Sequence, residues 1–143
     1  MRDQTIGFIG LGNMATAMIS GMLKKQVAAA DKIIGKARTA ATEEKVKERF
    51  HIEIAEDNAC VASRSDILFL AVKPIFFPEV IEEIRGALRP GTVVVSIAAG
   101  KTLDYLKQAF DRADCKFIRC MPNTPAMVLE GCTGVCAGDD VSE

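Results

Sequence analysis

The chain has 143 residues, 49% of them apolar, enough for a single domain with one substantial core at roughly 100 to 200 residues per domain, and this composition excludes disorder. Eighteen basic and nineteen acidic residues leave a net charge of −1, which offers no electrostatic footprint for a nucleic acid or an anionic membrane. The apolar runs fall far short of the roughly 20 residues of a bilayer span, and the N-terminus lacks a basic segment leading into a secretory apolar core.

The first apolar run, Ile6–Ile9, predicts a strand, and the spacing after it predicts a helix over 14–25. Strand patterns over 32–35, 52–55, 67–72, 93–97 and 117–121 then alternate with helical patterns over 42–50, 58–63, 80–88 and 103–110, several with Thr or Pro near the start. The runs 67–72 and 93–95 are continuously apolar, as strands covered by helices on both faces require. The chain therefore predicts a single α/β domain over 1–143, built on a doubly wound, mainly parallel sheet. A last short strand over 132–137 puts Cys132 and Cys136 on one face, where small apolar packing is their simplest use. At the end, Ser142 followed by Glu143 has the pattern that opens a helix, so further structure beyond this point is expected.

Five cysteines, Cys60, Cys115, Cys120, Cys132 and Cys136, include no CxxC pair. They read as reduced and mostly buried, which predicts a cytoplasmic protein without a metal site. One histidine, His51, one tyrosine and no tryptophan argue against histidine-centred hydrolysis and against base stacking. His51 falls between a helix and a strand and is expected at the surface.

Directly after the first strand comes Gly10, Leu11, Gly12, Asn13, Met14, Ala15, a GxGxxA turn opening a helix. Gly10 allows the sharp turn, Gly12 lets a pyrophosphate approach the backbone without meeting a Cβ, and Ala15 lets helix and strand pack closely. Unpaired amides at the helix start would face the phosphates. The alternative is a glycine turn without a ligand; the strand before it and the helix after it favour the dinucleotide.

The second strand decides which dinucleotide, because an acid at its carboxyl end would take the ribose diol of NAD. Asp31 precedes Ile33 and Ile34 and so lies at the wrong end. After the strand come Lys36, Ala37, Arg38 and Thr39, with no carboxylate before Glu43, an arrangement suited to a 2′-phosphate. NADP(H) is the expected cofactor, with NAD(H) still open and an ordinary solvated loop as the alternative.

Three later segments lie at strand ends: Ala71, Val72, Lys73, Pro74; Ser96, Ile97, Ala98, Ala99, Gly100; and Arg119, Cys120, Met121, Pro122, Asn123, Thr124, Pro125. Together with the run 6–14, they make the chain resemble the nucleotide-binding N-terminal domain of pyrroline-5-carboxylate reductase. The resemblance implies a Rossmann-type fold. It implies that Ile9, Gly10, Leu11, Gly12, Asn13 and Met14 line the pyrophosphate, and Lys36, Ala37, Arg38 and Thr39 the 2′-phosphate. Asn58 would meet the adenosine; Ala71, Val72, Lys73, Pro74, Ala98, Ala99 and Gly100 the ribose and nicotinamide side. Asn123 would sit near hydride transfer. Where the family often has a hydroxyl or asparagine after the second strand, this chain has Ala37, which shifts the phosphate to Lys36, Arg38, Thr39 and backbone amides.

The implied reaction is reduction of the small-molecule imine 1-pyrroline-5-carboxylate to L-proline, the last step of proline biosynthesis. A protonated imine is the better hydride acceptor, and its nitrogen is basic enough to make a strong protein acid unnecessary. No catalytic residue is evident. In the resembled family a helical second domain completes the substrate pocket and forms the homo-oligomer, and these residues do not contain it. Two alternatives stay open: a hydroxyacid dehydrogenase domain of related fold, and a non-catalytic module that senses NADP.

Overall fold

In the computed structural model, residues 3–121, 134–139 and 141 are described. The predicted strand at Cys132 and the site residue Asn123, with Pro122, Thr124 and Pro125, lie wholly or partly outside them. The strands are β1 (Ile6–Ile9), β2 (Ile33–Lys36), β3 (Glu53–Ile54), β4 (Ile67–Leu70), β5 (Val93–Ser96), β6 (Lys116–Met121) and β7 (Gly134–Ala137). They form one sheet in the order β3-β2-β1-β4-β5-β6-β7, with every neighbouring pair parallel except the antiparallel β6–β7. The helices are α1 (Asn13–Lys24), α2 (Ala40–Phe50), α3 (Asn58–Arg64), α4 (Phe77–Ile84) and α5 (Leu103–Phe110). The doubly wound α/β architecture expected from the alternation of strands and helices is the one found.

The core has two layers, one on each face of the sheet. On one face Ile34, Leu68, Leu70, Val94 and Phe117 pack with Val61, Phe77, Ile81, Ile84, Leu106 and Phe110 from α3, α4 and α5. On the other, Ile6, Phe8, Ile33, Phe69 and Val95 pack with Ala15 and Ile19 of α1 and Val46 and Phe50 of α2. β1 is buried along its whole length because both layers close over it. Phe8 and Phe69 are directly paired across β1 and β4, and their rings stack with centroids 4.8 Å apart. Gly7 faces the other layer, where a Cβ would lie 1.9 Å from Ser65 Oγ, so only glycine lets the end of α3 sit against β1.

Helix boundaries depart from the periodic patterns where capping decides them. α2 starts at Ala40 instead of 42 because Thr39, not a later residue, is the N-cap: its Oγ1 accepts the Thr42 N–H at 3.3 Å. α4 spans Phe77–Ile84 instead of 80–88, with a proline in its first turn where the missing N–H costs nothing. Asp31 sits in the single helical turn Ala30–Lys32 ahead of β2, at the end away from the cleft. His51 ends α2 in the left-handed region at φ 59°, exposed. The expectation of mostly buried cysteines is corrected: among the described residues Cys115 is buried, Cys60 and Cys120 are half-buried, and Cys136 is exposed. β7 comes last in the sheet order and all four of its residues are exposed, Cys136 among them. No helix among the described residues is long and apolar enough to cross a membrane.

Candidate functional site

The carboxyl ends of β1, β2 and β4 lie side by side, and the chain leaving each of them builds one wall of a cleft. β1 runs into Gly10, which turns at φ 97°. Its N–H donates to the Lys36 carbonyl at 2.8 Å, and the Ala71 N–H donates to the Ile9 carbonyl at 2.8 Å, so the turn is tied to both neighbouring strands. Gly12, at an ordinary φ of −79°, is the N-cap of α1, and a Cβ there would meet no atom of the described residues within 4 Å. Among the described residues no internal contact explains this glycine, whereas an incoming ligand does.

The first intrahelical bond of α1 runs from the Thr16 N–H to the Gly12 carbonyl at 2.9 Å. The amides before Thr16 consequently have no acceptor within the helix, and the first turn carries no acidic side chain that would repel an anion. A pyrophosphate fits this seat by charge and by clearance.

At the end of β2 the chain turns through Lys36, Ala37, Arg38 and Thr39 into α2. Thr39 Oγ1 also donates to Thr42 Oγ1 at 2.9 Å, which places two hydroxyls together at the helix start. Glu43 reaches back along the first turn. Its Oε1 accepts the Ala37 N–H at 3.0 Å and lies 2.8 Å from Lys36 Nζ. Burial pushes the Glu43 carboxyl up, but the Lys36 ammonium and the Ala37 amide outweigh it and hold the group below the usual carboxylate range. The guanidinium of Arg38 lies over the Phe76 ring, 3.8 Å from its centroid, within the range of a cation–π contact.

No carboxylate stands before Glu43, as the sequence reads, but the first turn of α2 brings Glu43, six residues past Ala37, back to the end of β2. Lys36 is ion-paired, and among the described residues Arg38 is the cation of this turn without a carboxylate partner.

Two adjoining cavities occupy the cleft. One of about 420 Å³ is lined by Gly10, Leu11, Gly12, Ala37, Arg38, Thr39, Thr42, Ala71, Val72, Lys73 and Phe76. The other, of about 270 Å³, is lined by Ile9, Gly10, Lys36, Ala37, Arg38, Asp57, Asn58, Val72, Phe76, Glu79, Val80 and Glu83. The Arg38–Phe76 contact stands between them and contributes to both. Asn58 is fixed at the rim by a bond from its Nδ2 to Glu83 Oε2 at 2.8 Å.

The structure brings together Ile9, Gly10, Leu11, Gly12, Lys36, Ala37, Arg38, Thr39, Asn58, Ala71, Val72 and Lys73. It does not add the rest to these cavities. Asn13 lines a third one of about 310 Å³, with Thr16 and Lys45, which shares Leu11, Gly12 and Thr42 with the larger of the two. Met14 and Pro74 line neither of the two. Ala98, Ala99 and Gly100 follow β5, two strand spacings or about 10 Å from β1, so they stand across β4 from the glycine turn. Ala98 is buried, its N–H donating to Ser96 Oγ at 3.3 Å, while Ala99 and Gly100 are exposed. Asn123 lies outside the described residues. Phe76, Thr42 and Glu43 were missed from sequence. An acid four residues past an N-cap threonine was the available signal for Glu43; a partly exposed aromatic just ahead of a helix gave none for Phe76.

Residues 5–100 match the family described as NADP oxidoreductase, coenzyme F420-dependent. The chain is 41% identical over 133 residues to the pyrroline-5-carboxylate reductase of Escherichia coli (strain K12), covering 93% of this chain and 49% of that protein. Among solved structures, it superposes on a pyrroline-5-carboxylate reductase from Coxiella burnetii with a TM-score of 0.91 at 31% identity, covering 98% of this chain and 52% of the other. The Plasmodium falciparum pyrroline carboxylate reductase, solved with NADP bound, gives a TM-score of 0.86 at 25% identity, covering 99% of this chain and 51% of that one. The chain spans about half the length of the curated relatives it matches.

Proposed function

We propose that this chain, which belongs to the NADP oxidoreductase, coenzyme F420-dependent family, is the NADP(H)-binding domain of a pyrroline-5-carboxylate reductase, acting in the last step of proline biosynthesis. The observation that carries the cofactor is Gly12: among the described residues its missing Cβ opens onto clear space above the unpaired amides of α1. The bound NADP of the Plasmodium relative supports the choice of dinucleotide, as do Arg38 and Thr39 at the end of β2. The reductases of Escherichia coli and Coxiella burnetii support the reaction.

In this reading the glycine turn and the start of α1 seat the pyrophosphate. Arg38, Thr39 and the adjacent amides receive the 2′-phosphate, with Lys36 and Ala37 beside them. Asn58 borders the adenosine, and Ala71, Val72, Lys73 and Pro74 lead toward the reactive ring. Ala98, Ala99, Gly100 and Asn123 are assigned to its far side by resemblance. When bound, NADPH supplies the hydride, and these residues supply its fixed position against an imine.

A chimera tests this reading. The 133-residue matching span of the Escherichia coli reductase is replaced by that of this chain, and NADPH oxidation is followed with 1-pyrroline-5-carboxylate. Turnover is expected. A folded chimera that binds NADPH and does not reduce the imine overturns the assignment.

A further inference from the structure

We propose that Glu43 is the positioning residue that sets how strongly this site prefers a 2′-phosphorylated adenosine, by withholding Lys36 and the Ala37 amide from the bound nucleotide. The inference rests on the reading of the turn 36–39 as the 2′-phosphate side of the cleft. It deepens that reading, because the turn contains two cations that are not equivalent.

Lys36 and Arg38 both line the cleft, yet they face different partners. Lys36 Nζ is 2.8 Å from Glu43 Oε1, and the same oxygen accepts the Ala37 N–H at 3.0 Å. The Glu43 side chain is 14% exposed, so its charge is only partly screened and depends on these two donors. A phosphate dianion that drew Lys36 away would strip a half-buried carboxylate of one donor and approach its negative charge. Arg38 rests on the face of Phe76, an uncharged partner that it can leave at small cost. Charge is therefore available from Arg38 and held back from Lys36.

Glu43 itself lines neither cavity of the cleft, so it acts through Lys36 and Ala37 and not by touching the ribose. Its effect resembles that of an acid at the end of the second strand, which disfavours a 2′-phosphate, but it is delivered from a helix. The consequence is a site whose NADP preference is weaker than two cations would give.

The test is calorimetric titration of NADP+ and NAD+ into the chain and its variants, read as the ratio of the NAD+ to the NADP+ dissociation constant. In Glu43→Gln that ratio should rise roughly three- to tenfold, the range for one freed, partly screened charge contact. In Glu43→Gln/Lys36→Met the gain should disappear. A general loosening of the turn would weaken both nucleotides and would not raise the ratio. Glu43→Ala keeps a good helix former at this position and must move the ratio in the same direction. An unchanged or lowered ratio in both Glu43 variants, or a gain that survives removal of Lys36, overturns the inference. Arg38→Met separates the two levels. If it lowers the ratio and the Glu43 variants do not raise it, Glu43 has no such role and the phosphate reading stands; if neither it nor the Glu43 variants change the ratio, both fall together.

Discussion

Gly10 and Ala71 approach so closely that a Cβ on Gly10 would lie 2.5 Å from the Ala71 carbonyl oxygen, at a φ of 97° that already disfavours any side chain. The contact welds the turn after β1 to the end of β4, so Gly10 serves the fold before it serves a ligand. Gly10→Ala should destabilise the unliganded domain by about 2 to 4 kcal/mol, strain and backbone clash together. Urea unfolding measures it. A loss below about 0.5 kcal/mol would mean that the turn relaxes freely and that the weld is not real.

Gly12 is the opposite case, since a Cβ there meets no atom of the described residues within 4 Å. Gly12→Val should leave stability within about 1 kcal/mol, the cost of a poor N-cap, while abolishing NADP+ binding because the side chain fills the approach to the α1 amides. Urea unfolding and calorimetric titration of the same preparation check both halves. NADP+ binding at unchanged affinity in the folded variant would refute the pyrophosphate seat.

These two glycines also mark how far the sequence could be read. The turn, its strand and its helix are local, so spacing and residue type specify them, and the continuously apolar runs at 67–72 and 93–95 likewise announce strands covered on both faces. Whether a glycine answers a protein contact or leaves a ligand's path clear is not local: it depends on Ala71, sixty-one positions from Gly10. Glu43 is local by contrast, but its partner set appears only once Thr39 fixes where α2 begins. Phe76 carries no signal at all, and it matters only through the Arg38 guanidinium lying on it.

Arg38, the cation of the β2–α2 turn without a carboxylate partner among the described residues, should carry most of the cofactor discrimination. Arg38→Met is expected to weaken NADP+ binding by about 1.5 to 3 kcal/mol, as for loss of a charge-assisted bond, and to weaken NAD+ binding much less. The salt dependence of NADP+ affinity should become shallower, since one charge contact is lost. Equal losses for the two cofactors would point to Arg38 acting by stacking on the adenosine instead.

Acid should destabilise the domain through three carboxylates. In Glu43, burial acts upward but Lys36 and the Ala37 amide prevail; in Glu53 the bidentate contact from Arg64, at 2.6 and 2.8 Å, dominates; in Asp114 the Arg112 contact does. All three are held below their ordinary values, so the unfolded chain binds more protons than the folded one as the pH falls through the carboxylate range. Their contribution is complete at neutral pH and is lost progressively as the pH falls through that range. Urea midpoints from pH 7 to pH 3 should therefore decline, and Glu43→Gln, which removes the least exposed of these groups, should flatten the decline more than Glu53→Gln. The reverse order would show that the exposed Arg64–Glu53 pair outweighs the Lys36–Glu43 pair, contrary to the usual weakness of surface pairs.

The 143-residue polypeptide should bind NADPH and yet not turn over 1-pyrroline-5-carboxylate at an appreciable rate. Reduction needs the imine carbon held against the hydride donor, and that positioning is worth about 7 to 11 kcal/mol of barrier when both reactants are fixed. The cleft on β1, β2 and β4 holds one reactant. The relatives that carry the activity in their names are about twice as long, which leaves room for the seat of the other. NADPH oxidation at saturating imine, with calorimetry to verify that the cofactor is bound, decides the matter. Turnover comparable to that of the chimera with the Escherichia coli reductase would mean that these residues alone position both reactants, and the assignment of the chain as the cofactor-binding part would have to be abandoned.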